Sequence, residues 1–395
     1  MQAVARQWPG RPQTFSQIQI GPPEKQTNKR HGGMAGIYSA RMIEALVASG
    51  AIASEMPLEA DQVQPASLDL RLGGTAFRVR SSFLPGPQNR VADRIESLKL
   101  HEIDLNGGAV LERGCVYLVE LQERLQLPQN VSASANPKSS TGRLDIFTRV
   151  ICDHARGFDQ ITHGYEGPIY LEISPRTFPI LVRTGSRLSQ MRFREGSTRL
   201  SVDEHIALHK SQQLLVDGDA GSVGDGVSLS IDLKGDGRDG LVGYRSKRHT
   251  AVIDVDKKGA LDPLDFWEPL VNRGSDELIL DPDEFYILVS RESVHVPPDY
   301  AAEMVPFDPL IGEFRVHYAG FFDPGFGHSE AGGTGSHAVL EVRSHEVPFL
   351  LGHGQTIGRL VYERMAERPD RLYGSGLGSN YQAQSLKLSK HFKSM

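Results

Sequence analysis

The chain has 395 residues, 39% of them hydrophobic and 23% charged, with a formal net charge of −6. That is enough for two ordinary domains with buried cores. No run approaches the ~18 apolar residues of a membrane span, and the N-terminus lacks the basic-then-apolar pattern of a secretory signal, so the cytoplasm is the default location. The negative balance argues against a dedicated nucleic-acid surface, which is held chiefly by Lys and Arg that release counterions. A small anion gripped by a few local cations is compatible with it.

Residues 1–33 are polar, rich in Pro, Gly and Gln, and without periodicity, which predicts a disordered extension, with Met34 an alternative start. In GIYSARMIEALVASGAI, Met42, Ile43, Leu46 and Val47 share one helical stripe, with Ser39 placed to cap it and Gly50 to stop it. Beyond it come short alternating segments such as FRVR, CVYLVEL, IYLEI and LILDPDEFYILVS, separated by Gly, Pro, Asn and Asp, the pattern of many short strands. The two cysteines, Cys115 and Cys152, form neither a CxxC pair nor a disulfide framework and are expected as small buried apolar residues.

A repeat organises these segments. Tyr117 and Tyr286, Pro128 and Pro297, Pro137 and Pro306, Leu171-Glu172 and Leu340-Glu341, Pro179 and Pro348, and Gly185 and Gly354 are all separated by the same 169 residues. Upstream, PASLDLRLGG has a looser echo in GVSLSIDLKG. Two copies of one mainly β domain are therefore expected, at 34–197 and 218–395, joined by a polar linker at 198–217.

The copies differ most at PKSSTGR (137–143), where Lys138, Ser139, Ser140 and Arg143 correspond to Phe307, Asp308, Pro309 and Gly312. Alone, the stretch is a polar turn. Loss of its cations and hydroxyls from the second copy points instead to an anion site in the first, because hydroxyls and a guanidinium fork together hold phosphate. The carboxylate is kept in both copies. In IYLEI, Glu172 alternates with Ile169, Leu171 and Ile173, which makes it an outward-facing strand residue or a rigidly placed proton carrier.

QPASLDLRLGG, PKSSTGRL, GYEGPIYLE and VRTGSRLSQMRF follow the order and approximate spacing of the dCTP deaminase family, which this chain resembles in its long, duplicated form. The second copy resembles it again in FYILVSRESVHVPPDY, AGFFDPGFG, AVLEV, LLGHGQTIGRLVYERM and LYGSGLGSNYQAQ. The resemblance implies two tandem distorted β-barrels of the trimeric dUTPase-like superfamily with a few short helices. It further implies a homo-oligomer, by preference a trimer, deaminating dCTP to dUTP without zinc. Residue by residue, it makes Glu172 the carboxylate that activates water for attack on C4 of cytosine, with Ser139 and Arg143 organising that water. Lys138 and Ser140 match phosphate-contacting positions, and Mg2+ would arrive on the triphosphate. Arg156 and Asp159 match a binding arginine and a turn aspartate. Tyr381, Gln382 and Gln384 match a tail that closes over the nucleotide.

Between Arg143 and Glu172 the chain is longer than the family pattern, and FDQITHGYEG interrupts the Asp-Pro-Gly-aromatic turn that the second copy keeps as FDPGFG. Glu341, without a Ser-Ser-Arg cluster in its own copy, is expected to be a relic or a structural residue. His328-Ser-Glu330 supplies the H-x-E of zinc deaminases, but no P-C-x-x-C accompanies it. A dUTPase or bifunctional enzyme using an aspartate such as Asp159, and a non-catalytic nucleotide-binding protein, are the alternatives.

Overall fold

The computed structural model describes residues 35–217, 222–235, 240–306, 314–317, 320–344, 346–374 and 386–394. It is mainly β. The extension at 1–33, the second-copy counterpart Phe307–Gly312 of the cluster, and Tyr381, Gln382 and Gln384 lie outside the described residues. No helix among those described is long and apolar enough to cross a membrane.

The first helix forms where its stripe places it, at Ala40–Ala48. Ser39 Oγ accepts the Met42 N–H at 3.4 Å, Ile43 and Leu46 are buried, and Gly50 leaves the helix at φ +79. The internal repeat is visible in strand order. One six-stranded sheet runs Lys99–Asp104, Leu72–Val79, Val116–Gln126, Glu166–Pro175, Ile146–Cys152, with Ile52–Ser54 added on Val116–Gln126. Its counterpart runs Trp267–Val271, Leu241–Ser246, Phe285–Val294, Ser336–Ser344, Phe314–His317, with Leu215–Asp217 added on Phe285–Val294. Each half adds a five-stranded sheet whose central pair is Val131–Pro137 with Ser189–Glu195 in one case and Tyr300–Pro306 with Thr356–Arg364 in the other.

Two features depart from a plain pair of domains. Residues 198–217, expected as a polar linker, contain the helix Val202–Gln212, closed by a capping box in which Glu204 N–H donates to Ser201 Oγ and Ser201 N–H to Glu204 Oε2. Its Leu208, with the flanking Leu200, Leu214 and Leu215, packs into the core of the second half. SVDEHIALHKSQQ has too few apolar residues to signal this. The halves also share a core. Ile253–Asp254 pairs in parallel with Ile180–Val182, and Phe178 packs edge-on against Phe266 and Trp267. Leu388 and Phe392, from the C-terminal segment, join the same cluster. Burial of this much aromatic surface holds one half against the other in a fixed orientation.

Candidate active site

PKSSTGR begins where the strand Val131–Pro137 ends. Lys138 N–H is still held by Leu188 O at 3.0 Å, after which Thr141 N–H and Gly142 N–H both turn back to Lys138 O. The resulting one-turn helix Ser139–Gly142 delivers Arg143 into the interior, 3% exposed, with its Nη1 donating to the carbonyl of Lys387 at 2.8 Å. The C-terminal segment braces the turn again through Ser389, whose Oγ donates to Ser140 O at 2.8 Å. Lys138 Nζ pairs with Asp69, and Ser140 is buried in the turn.

A small cleft opens beside this turn. Lys138, Ser139 and Arg143 line it from the first half, and Phe322, Asp323 and Glu341 from the second. Arg143 Nε lies 3.9 Å from Glu341 Oε1. Burial pushes the Glu341 carboxyl up to about 8, while the Arg143 guanidinium opposes the shift. A buried carboxyl with such a pKa is suited to both accepting and releasing protons near neutrality.

Phe322 and Asp323 belong to FDPGFG, which folds tightly because Gly325 and Gly327 take positive φ, at +93 and +64, and a Cβ on Gly327 would stand 2.5 Å from Val294 O. Arg192, fully buried on the first-half strand Ser189–Glu195, fixes this turn. It donates to Asp323 Oδ1 at 3.1 Å and Phe322 O at 3.3 Å, and its guanidinium lies 4.1 Å from the centre of the Phe321 ring. Burial raises the Asp323 carboxyl and Arg192 draws it back.

The carboxylate expected from the sequence, Glu172, stands elsewhere. Its strand register puts it opposite Leu118 and Arg149, and Arg149 occupies it, with Nε at 3.0 Å and Nη2 at 2.6 Å from Oε1. The Arg149 guanidinium is sandwiched 3.5 Å from the Phe158 ring centre and tied to Ser82 Oγ. Glu172 is not outward-facing but 1% exposed, because the connection that carries helix Val91–Leu98 builds a small second core, with Leu118, Ile151 and Tyr170, over that face of the sheet. Asp159 is near this arginine, accepts the Val150 N–H at 2.7 Å and is pushed up to about 7 by burial. Arg156 is exposed in the turn before it. The structure thus brings Lys138, Ser139 and Arg143 together with Glu341, and leaves Ser140, Glu172, Arg156 and Asp159 out of the cleft lining. Arg149→Ala would leave Glu172 buried and unpaired, and is expected to lower unfolding stability by about 3 kcal/mol in a denaturant titration.

The remaining expected residues are easily placed. Cys152 is buried, and Cys115 partly so. His328 caps a short turn by accepting the Glu330 N–H, and Glu330 pairs with Arg368 on the surface, so H-x-E here is a turn motif. Sequence reasoning took Glu341 for a relic or a structural residue and did not single out Asp323 or Arg192. The signal for the first two was the intact FDPGFG turn, present in the copy that lacks the cluster.

Comparison with known proteins identifies both halves. A model described as the N-terminal domain of 2'-deoxycytidine 5'-triphosphate deaminase matches residues 34–197, and one described as its C-terminal domain matches 201–392. A dCTP deaminase of Haloarcula marismortui is 34% identical over 145 residues, 35% of this chain and 68% of that protein. A "dCTP deaminase, dUMP-forming" of Coprothermobacter proteolyticus is 30% identical over 158 residues, 40% of this chain and 81% of that protein. The crystal structure of 2'-deoxycytidine 5'-triphosphate deaminase from Agrobacterium tumefaciens superposes with a TM-score of 0.80 at 66% identity, covering 84% of this chain and 99% of that one.

Proposed function

The chain belongs to the 2'-deoxycytidine 5'-triphosphate deaminase family, and we propose that it hydrolyses dCTP to dUTP and ammonia in a cleft built by both halves. Each half is then a distorted dUTPase-like β-barrel, one supplying the Ser-Arg cluster and the other the carboxylate. The observation that carries this reading is the approach of Arg143 to Glu341, a raised carboxyl beside a buried cation in a cleft lined by hydroxyl and ammonium groups.

Glu341 takes a proton from water as its oxygen bonds to C4 of cytosine, and delivers that proton to N3. It then carries the hydroxyl proton of the tetrahedral adduct to the amino group, and the C4–N bond breaks to release ammonia and leave the C4 carbonyl. Arg143 and Ser139 hold the water and the carboxylate, while Lys138 faces the phosphates beside the turn that buries Ser140. Lysine supplies charge there without the bidentate fork of arginine. Asp323 and Phe322 form the base side of the cleft. Mg2+ enters as part of the substrate, chelated by the triphosphate, and the chemistry calls for no zinc. The assembly proposed with it is a cytoplasmic homotrimer.

A second reading, in which the same protein also cleaves the α-phosphate, is favoured by relatives named as dUMP-forming. Incubation with dCTP and Mg2+ while ammonia and pyrophosphate are assayed together separates the two. Ammonia alone supports the deaminase, pyrophosphate in step with ammonia supports the bifunctional enzyme, and neither product sinks both. Tyr381, Gln382 and Gln384 are proposed to cover the bound nucleotide. Replacing all three by Ala should raise KM for dCTP roughly tenfold with a smaller effect on kcat, the pattern of lost ground-state contacts. Unchanged KM would discard that role.

A further inference from the structure

Arg143 and Asp145 stand two residues apart at the end of the Ser139–Gly142 turn. Glu341 and Arg343 stand two residues apart on Ser336–Ser344, where alternate side chains share a face. The four charges meet in two opposed pairs. Arg143 approaches Glu341, and Arg343 Nη2 binds Asp145 Oδ2 while also donating to Thr177 Oγ1 at 3.0 Å. Thr177 Oγ1 donates in turn to Asp145 Oδ2 at 2.5 Å, and Arg343 Nη1 to Asp283 O at 2.6 Å. The backbone of Asp145 is pinned as well. Its N–H donates to Gly142 O at 2.8 Å, its carbonyl accepts the Arg176 N–H at 2.9 Å, and its φ of +54 is a left-handed value that Asp tolerates.

The repeat shows that this pair has a direction. Arg343 corresponds to Ser174 at the 169-residue spacing, so the reverse combination lacks the guanidinium. Both ionic contacts therefore run from the first-half turn to the second-half strand. A buried ion pair gains little net stability over well-packed apolar residues. What it does supply is a fixed register, here two residues away from both Arg143 and Glu341.

We propose that Asp145 and Arg343 form a positioning pair that sets the separation of Arg143 from Glu341, and through it the proton-transfer step. The inference rests on Glu341 being the base. It is tested with Arg343→Met, Arg343→Lys and the near-isosteric Asp145→Asn, measuring kcat, KM, the pH profile of kcat/KM and the melting temperature of each. Arg343→Met should lower kcat for dCTP by roughly 10²-fold, the scale of an ångström misplacement at a reacting group, with KM changed less than threefold. The ascending limb of the pH profile should move to higher pH as Arg143 loses its hold on Glu341; Lys138 and Asp323, the other charged groups lining the cleft among the described residues, are unaltered. Arg343→Lys should recover part of kcat.

If Arg343→Met fails to fold, Asp145→Asn answers the same question. A folded variant with kcat within twofold of the parent and an unmoved pH profile overturns the pair's role. A Glu341→Gln protein that still deaminates overturns the base assignment instead, so the two failures are distinguishable.

Discussion

Glu341→Gln is expected to abolish ammonia release from dCTP, lowering kcat by roughly 10³-fold or more, because one carboxyl is asked to take the proton from water and to return it to the leaving group. The amide has nearly the same shape and keeps the packing of a residue buried on the strand Ser336–Ser344, so substrate affinity should change little. Glu172→Gln is the informative partner experiment. That carboxylate has the same place in the repeat, but its Oε1 is held by Arg149 and its Oε2 is buried without a hydrogen-bond donor. Its neutral replacement should leave kcat within about twofold and show instead as altered stability, because the charge of Arg149 loses its counterion. Loss of activity in Glu172→Gln with retention in Glu341→Gln would reverse the assignment of the two copies. Loss in both would mean that the two carboxylates serve one reaction.

Much of this was legible in the sequence, and what was not had a physical cause. The first helix, the short strands and the duplication follow from a capped apolar stripe, alternation and a constant spacing, all local or one-dimensional signals. The cluster at 138–143 was legible through its absence from the second copy. Which glutamate it meets was not, because that is a contact between residues about 200 positions apart. Comparing each copy only with itself pairs Arg143 with Glu172, whereas the fold swaps the partners. The swap has a trace in the sequence all the same. The cluster survives only in the first copy and FDPGFG only in the second, a complementary loss that suits a site assembled from one part of each. The buried state of Glu172 was hidden for a different reason, since the residues that roof it, Val91 and Ile95 among them, come from a segment far upstream.

The pH dependence is the second expected result, because ionisation of Glu341 should act on activity and stability in opposite directions. The base works ionised, so kcat/KM for dCTP should climb with pH and level off near 8, the value to which burial raises the carboxyl. Between the ordinary 4.5 and about 8 the folded protein keeps a proton that the unfolded chain has released, so stability falls as pH rises, by up to about 1.4 kcal/mol per unit. Other groups overlap this window. Asp159, raised to about 7, acts in the same direction. His391, lowered to about 4 by burial, acts in the opposite one, since between 4 and 6.5 the unfolded chain holds the extra proton; His205 and His295 share its sign. Lys390, lowered to about 8 by burial and the nearby Lys138, adds stability only above that pH. The total curve therefore mixes slopes, and the difference between the parent and Glu341→Gln isolates one of them. Because the amide cannot ionise, the variant should gain stability relative to the parent from pH 6 to pH 8 in matched urea titrations. A difference that stays flat across that interval would show that Glu341 is already ionised at pH 6, and the activity profile would then have to take its ascending limb from another group.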